Sequence, residues 1–379
     1  MELSELRNKI DDIDDKLAAL YDERMKLIKQ VGEQKAKTDS CVQDSSRETA
    51  IVNRVTKAVE PAVRVYCKQV FETLFETSRA YQARFVSVQS SVAQEIRANL
   101  KNGLKAFPDY ATVACQGVAG AYSMLATNRL FPLSDITYFK TFEGVFNAVE
   151  NGLCKYGVLP IENSSVGSVN AVYDLMKEHK FYIVRSVKLH VQHHLLAKKG
   201  AKLSDIKEVF SHEQAINQCK KQLDGSGVKV TIVPNTAVAA KMVAESDRTD
   251  IACISSRECA GLYGLGVLAS NMQDNDYNYT RFIVISKTME IFKNANRVSI
   301  MVNLPHVTGA LNRMLNKFST MGFNLTKLES RPLPNSAFEF MFYFDFETDI
   351  ESPEVVNLFA ELENGDGQFT FLGSYCEVA

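Results

Sequence analysis

LRNKIDDIDDKLAALYDERMKLIKQVGEQKAK, residues 6–37, decides how the first part of this 379-residue chain folds. Apolar residues recur at Leu3, Leu6, Ile10, Ile13, Leu17 and Leu20, and again at Leu27 and Val31. That spacing lines one face of an α-helix. It predicts a single helix from Leu3 to Lys35, about ten turns and roughly 50 Å long. Two positions break the stripe: residue 24 is arginine and residue 35 is lysine. A cation on a face meant for burial is costly unless something pairs with it. So long a stripe also cannot be covered by residues 1–90 alone, so an intertwined helical dimer is expected.

The rest of residues 1–90 reads as helix only. The run SCVQDSS interrupts the pattern, and Ser45 with Glu48 suggests a capping box for a second helix ending near Pro61. A third carries Val63, Cys67, Val70, Leu74 and Phe85. Asp44, Arg47 and Glu48 share the face of Ile51 and Val55, Ser78 and Gln82 continue the stripe of Val70 and Leu74, and Arg7 flanks the first stripe. Three helices thus place polar groups where packing should be dry. Arg7, Arg24, Lys35 and Arg47 outnumber Asp44 and Glu48, which suits a small dianion, because arginine forks match carboxylates. The set has no nucleophile and no histidine. A reaction that needs only positioning and electrostatics, such as a pericyclic rearrangement, fits it.

Composition sets the bounds. Hydrophobic residues make up 46% and charged residues 23%, as in a globular protein. The net charge of −2 gives no attraction to nucleic acid or to an anionic membrane. No apolar run reaches the ~18 residues of a membrane span, and the charged start MELSELRNKIDD does not read as a secretory signal. Eight cysteines show no metal spacing and read as reduced thiols of a cytoplasmic protein. No metal or organic cofactor is expected.

The stretch LRNKIDDIDDKLAALYDERMKLIKQVGEQKAK, followed by DSSRE and ETSRAYQ, resembles the all-helical chorismate mutases. The resemblance implies that Arg24, Arg47 and, from a second copy of the chain, Arg7 grip the two carboxylates of chorismate. It puts Lys35 and Gln82 at the ether oxygen whose C–O bond breaks, and Asp44, Glu48 and Ser78 at the remaining polar positions.

Beyond a polar connection at residues 91–109, short apolar runs alternate with helical segments from residue 110 to 287. TVACQ, YGVLPIE, YIVRSVKLHV, VKVTIV, DIACIS and RFIVIS read as strands, with helices at 122–131, 141–151, 168–178, 213–222 and 235–245. This alternation means an α/β sheet covered by helices. QGVAGAYS, PIENSSVGSVN and NYTRF are polar loops beside strands, as in a binding cleft. In this order GxxGxYS, YGVLPIENSSVGSVNAVYDLM, SHEQAINQC and TRF resemble prephenate dehydratase. The family implies two α/β lobes, periplasmic-binding-protein-like, around an active-site cleft. It implies Thr280 as the essential hydroxyl, Arg281 as a carboxylate partner, and Asn163, Ser164, Ser211 and Gln218 as polar cleft residues that bind prephenate. Glu162 could instead be structural. The chain departs from the usual pattern at CQGVAG and at Glu213, where proline is common.

From residue 297 to 379 the order is strand, helix, strand, strand, helix, strand, the ferredoxin-like pattern. GAL (Gly309, Ala310, Leu311) and ESRP (Glu329, Ser330, Arg331, Pro332) resemble the ACT regulatory domain of these dehydratases and imply a phenylalanine site. The resemblances together imply a bifunctional chorismate mutase and prephenate dehydratase (isomerase and lyase) of phenylalanine biosynthesis, inhibited by phenylalanine. Its domains would span 1–90, 110–287 and 297–379, in a homodimer or higher oligomer. The short tether 287–298 suggests that phenylalanine acts more on the dehydratase than on the distant helices. One rival is an amino-acid-sensing binding protein with a helical dimerisation arm. Such an arm would gain stability from Leu or Ile at 24, 35, 78 and 82, where polar residues stand. A dehydrogenase would need a GxGxxG after a strand, and none occurs.

Overall fold

The computed structural model describes residues 2–38, 44–83, 85, 90–101, 103–333, 339–364 and 367–378. Two compact units form: Met1–Ala98 with Ile300–Thr370, and Asn99–Ser299 with Phe371–Ala379.

The first unit opens with α1 (Leu3–Thr38), 36 residues long, as the stripe requires. Helices α2 (Ser45–Lys57) and α3 (Arg64–Ala83) follow, and both α1 and α2 lie against α3. Gly32 is the buried residue of α1: a Cβ there would stand 3.4 Å from the backbone of Gln82, so glycine lets the two helices meet. The stripe itself stays in solvent, with Leu17 58% and Leu20 61% exposed. The expected Ser45 capping box is not what starts α2. Asp44 is the N-cap, and its carboxylate accepts the Arg47 N–H at 3.0 Å. A carboxylate satisfies a free helix amide at least as well as a hydroxyl.

The connection at 91–109 holds a helix that the sequence reading left as loop, α4 (Ser91–Lys101). Ala93 and Ile96 are its buried side. Its first turn is held by Ser90 Oγ, which accepts the Ala93 N–H, and by the remote Glu363, whose Oε1 accepts from Ser91 Oγ and Val92 N. The cap comes from far along the chain, where local spacing cannot reveal it.

The second unit carries strands β1 (Thr112–Gln116), β2 (Asp135–Phe139), β3 (Tyr156–Asn163), β4 (Gly167–Ser168) and β5 (Tyr182–His190). Then come β6 (His194–Ala197), β7 (Glu208–Ser211), β8 (Lys229–Ile232), β9 (Ile251–Ser255), β10 (Gly266–Ala269) and β11 (Tyr279–Ser286). Helices α5 (Tyr122–Leu130), α6 (Phe142–Glu150) and α7 (Asn170–Glu178) separate the early strands. α8 (Glu213–Gln218), α9 (Lys220–Leu223), α10 (Thr236–Glu245) and α11 (Arg257–Tyr263) separate the later ones. The expected alternation holds, and two sheets result. One, joined at its edge by β16 (Glu377–Val378), runs β16-β5-β11-β3-β1-β2 with β4 beside β3; the other runs β10-β6-β9-β7-β8. All five residues of β9 are buried, and Val113, Val158, Phe282 and Val284 build the core of the first sheet. YIVRSVKLHV extends into β5 as expected, whereas EVFS (β7) and GVLA (β10) are strands not read from the sequence.

The last region adds β12 (Arg297–Leu304), α12 (Ala310–Thr320), β13 (Asn324–Pro332), β14 (Phe340–Glu347), α13 (Pro353–Glu363) and β15 (Phe369–Tyr375). The order βαββαβ is as read, and the sheet order β13-β14-β12-β15 is that of the ferredoxin-like fold. Phe318, Phe344, Phe346 and Phe359 fill its core. Helix α3 also lies against α12. There Glu76 bonds Asn316; burial raises its carboxyl above the usual range, and nearby Arg79 and Lys317 oppose this.

Candidate functional sites

Arg24 and Lys35 are eleven residues apart, about three turns, and so share one face of α1. Arg24 is half-buried, and its guanidinium donates to Ser78 Oγ at 2.5 Å and to Leu74 O at 3.4 Å. Ser78 Oγ in turn donates to Leu74 O, one turn back on α3. Burial lowers the Arg24 pKa from its ordinary value, partly offset by Tyr21; a guanidinium stays charged regardless. Gln82, one turn beyond Ser78, is 6% exposed, and its Oε1 has no partner among the described residues. A buried orphan acceptor costs stability unless a ligand meets it. Lys35 is half-buried, one turn past the Gly32 contact with Gln82. Arg24, Ser78 and Gln82 are thus brought to the junction of α1 and α3.

From α2, Glu48 is half-buried and accepts from Arg79 Nη1 at 2.5 Å. Arg79 was not among the residues singled out. The signal was present: a carboxylate on the seam needs a cation, and residue 79 lies one turn beyond buried Phe75. Asp44 and Arg47 are exposed. Arg7 is exposed and lies about 25 Å along the helix from Arg24, seventeen residues at 1.5 Å each. One chain therefore does not bring Arg7 to the Arg24 site.

In the second unit, strand register does the positioning. Thr280, the second residue of β11, stands directly opposite Asn163 at the end of β3. Cross-strand neighbours share a face of the sheet. Asn163 Oδ1 accepts from the backbone N–H groups of Ser165 (3.0 Å) and Val166 (3.2 Å). Its Nδ2 donates at 2.9 Å to both Thr280 Oγ1 and Asn278 Oδ1. Asn278 Nδ2 donates to Gln218 Oε1 at 2.9 Å, and His193 Nε2 lies 2.8 Å from the same oxygen. Ser164 staples the loop before Thr280: its Oγ donates to Tyr277 O and accepts the Tyr279 N–H. Asn163, Ser164, Gln218 and Thr280 thus lie in one connected network. Burial lowers the His193 pKa; His194 adds to this and the Gln218 bond opposes it. His193 and Asn278 were not singled out from the sequence: His193 lies outside the quoted motifs, and Asn278 opens NYTRF without being picked from it.

Residues 113–290 match the family model "Prephenate dehydratase", and residues 6–83 match "Chorismate mutase type II". A bifunctional chorismate mutase/prephenate dehydratase of Aquifex aeolicus is 30% identical, covering 99% of this chain and 98% of its own. The Escherichia coli K12 protein of the same description is 31% identical, covering 98% and 95%. A solved prephenate dehydratase from Arthrobacter aurescens superposes with a TM-score of 0.64 at 28% identity, over 70% of this chain and 89% of that one. The chain belongs to the bifunctional chorismate mutase/prephenate dehydratase family.

Family membership leaves each expected residue to be located. Ser211 is fully buried, and its Oγ donates to Ile254 O between β7 and β9; among the described residues no bond links it to the Thr280 network. Arg281 is the clearest departure from the expected carboxylate partner. It is 6% exposed, with Nε 2.8 Å from Glu377 Oε2 and Nη2 donating to Tyr375 Oη at 2.7 Å. Side chains alternate along a strand, so Thr280 and Arg281 face opposite sides of the sheet. Glu377 also meets Lys188 and Arg297; burial raises its pKa, but Arg281, Lys188 and Arg297 outweigh this and hold it below its usual value.

Among the expected effector residues, Gly309 caps α12 in the left-handed region at φ +81°. There a side chain would be strained and its Cβ would stand 3.3 Å from Arg313. Ala310 is buried and Leu311 half-buried. Glu329, Ser330, Arg331 and Pro332 end β13, the outer strand of its sheet, with Lys327 3.6 Å from Glu329. No group of His, Cys, Asp or Glu side chains suited to a metal occurs among the described residues, nor any helix long and apolar enough to cross a membrane.

Proposed function

We propose that the chain converts chorismate to prephenate in its helical region and prephenate to phenylpyruvate in its α/β region, with phenylalanine as a feedback inhibitor. In the first reaction one ether C–O bond breaks while a C–C bond forms, and no proton moves. Cations aimed at the carboxylates and the ether oxygen are all the catalysis it needs. Arg24 and Arg47 are assigned to the carboxylates, Lys35 and Gln82 to the ether oxygen, and Asp44, Glu48 and Ser78 to the remaining polar contacts. Arg7 of a second copy would complete the site. The exposed stripe on α1 and the distance from Arg7 to Arg24 support an intertwined dimer.

In the second reaction the ring carboxylate leaves as carbon dioxide. Its electron pair enters the ring and expels the hydroxyl, which takes up a proton and departs as water. Thr280 is assigned as the donor to that hydroxyl. A threonine with an ordinary pKa is a poor Brønsted acid, so it activates by hydrogen bonding. Asn163, Ser164 and Gln218 are assigned to binding prephenate; Ser211 and Arg281 hold the scaffold. One observation carries the assignment: Thr280 Oγ1 already accepts from Asn163, which leaves its own hydrogen for a ligand.

The Arthrobacter relative was solved with L-Phe. Together with the βαββαβ order, this supports an ACT regulatory domain over residues 297–379, with Gly309–Leu311 and Glu329–Pro332 as the phenylalanine site. Chorismate incubated with purified protein should yield prephenate and then phenylpyruvate. Persistent chorismate would refute the mutase, and prephenate that never declines would refute the dehydratase.

A further inference from the structure

The hydrogen-bond network around Thr280 has a direction that can be worked out atom by atom. It starts at Asn163, whose Oδ1 faces two backbone N–H groups. Those groups only donate, so the amide cannot turn over, and Nδ2 must be the end that faces Thr280 and Asn278. Asn278 then receives at Oδ1, which forces its own Nδ2 toward Gln218 Oε1. Asn278 is itself immobile: it is 1% exposed, and its backbone carbonyl accepts the Val191 N–H at 2.7 Å. An amide oxygen carries no hydrogen, so His193 must bring one on Nε2 to make its 2.8 Å bond. The backbone of His193 is fixed as well, donating to Gln273 Oε1 at 3.0 Å and accepting the Met272 N–H at 2.7 Å.

Three groups in this network remain unspent. They are the Thr280 hydroxyl hydrogen, the Gln218 Nε2 amide and His193 Nδ1, the last two buried without partners among the described residues. If Asn278 were reversed, Gln218 would have to reverse too, presenting an oxygen where it now presents a donor. The direction at Gln218 and His193 therefore hangs on one buried asparagine, Asn278.

We propose that Asn278 is a positioning residue of the dehydratase, with His193 as its terminal clamp: together they hold the Gln218 Nε2 amide as a free donor to an anionic substrate, beside the Thr280 hydroxyl that Asn163 orients. The proposal rests on the assignment of Thr280 as the donor to the departing hydroxyl. Neither Asn278 nor His193 is given a reacting role.

The test uses the full chain, whose mutase activity reports folding in the same preparation. In Asn278→Asp the carboxylate still accepts from Asn163 but can no longer donate to Gln218, so Gln218 turns over and His193 must move its hydrogen to Nδ1. Asn278→Ala removes both bonds. In each variant dehydratase kcat should fall about 10²-fold, the ordinary cost of misplacing a reacting contact, with mutase rate unchanged. Imidazole 15N spectra of histidine-labelled protein should show His193 as the Nε2–H tautomer in the native chain and altered in Asn278→Asp. In a Gln218→Ala background, Asn278→Ala should cost far less than it does alone, because the group it positions is gone. A native Nδ1–H tautomer, or Asn278 variants with full dehydratase activity beside an inactive Thr280→Val, would overturn the relay while sparing Thr280. An active Thr280→Val would overturn both.

Discussion

The two candidate sites are built on opposite plans. In the helical region the functional groups stand on three helix faces, several of them open to solvent, and the apolar stripe beside them is uncovered. In the α/β region Thr280, Asn163, Asn278, Gln218 and His193 are tied into one hydrogen-bonded set, and Asn163, Asn278 and His193 are buried. The first plan leaves a cation ready beside an uncovered apolar stripe. The second fixes donor directions within one chain. The difference teaches that a reaction without proton movement needs charge at the right distance, whereas expelling a hydroxyl needs a hydrogen pointing the right way.

The largest effect should come from breaking the first plan alone. Arg24→Ala removes a preorganised cation and should lower mutase rate by about 10³-fold, and Lys35→Ala by about 10²-fold. Dehydration of supplied prephenate by the same proteins should stay near normal, which a coupled assay checks directly. Next, inactive Arg7→Ala and Arg47→Ala chains mixed in equal amounts should recover about a quarter of native mutase activity, since a hybrid dimer carries one intact site of its two and hybrids make up about half of an exchanged population. Proven chain exchange without recovery would argue for a site made by one chain.

Legibility followed the same divide. Arg24, Lys35, Ser78 and Gln82 stood out because each violates a periodic apolar stripe, and the periodicity needs no knowledge of the fold. Thr280 and Asn163 stood out only through their motifs; what joins them is the register of β11 on β3, set by residues far apart in sequence. His193 carried no local signal, since a buried polar residue looks like any loop or strand residue until its partners are known, and Asn278, although it opens NYTRF, gave no sign of its role without those partners. Arg281 shows the converse. Its place in TRF suggests the cleft, while strand alternation sends it to Glu377 instead. The helix at 91–101 was hidden because its cap, Glu363, lies far along the chain.

The contact of α3 with α12 changes one expectation. Distance along the chain suggested that the helices would feel phenylalanine less than the cleft, yet α3 meets the βαββαβ region within one compact unit. Saturating phenylalanine should therefore slow the mutase too, roughly fivefold, the lower end of ordinary coupling. A mutase rate indifferent to phenylalanine, alongside an inhibited dehydratase, would show that the contact carries no signal. Gly309→Ala should weaken inhibition several-fold, and its positive φ adds about 1 kcal/mol of strain to that segment.

The smallest effect concerns pH. His193 is neutral in the fold with its pKa held below the ordinary 6.5, so unfolding takes up a proton in that window. Its contribution is fully present above pH 6.5 and is lost as pH falls through the lowered value. Thermal unfolding between pH 7 and 5 should show a shallower fall in Tm for His193→Gln than for the native chain.

The account stands or falls on the independence of two sites in one polypeptide, and Thr280→Val given chorismate measures it in a single time course. Valine keeps the shape of threonine and removes only the hydroxyl. Chorismate should disappear at the native rate while prephenate accumulates in equal amount and phenylpyruvate stays near the background. Continued phenylpyruvate formation at more than about a tenth of the native rate, a loss under ~1.4 kcal/mol, would place the key donor elsewhere; a simultaneous collapse of chorismate consumption would contradict the separation of the two sites.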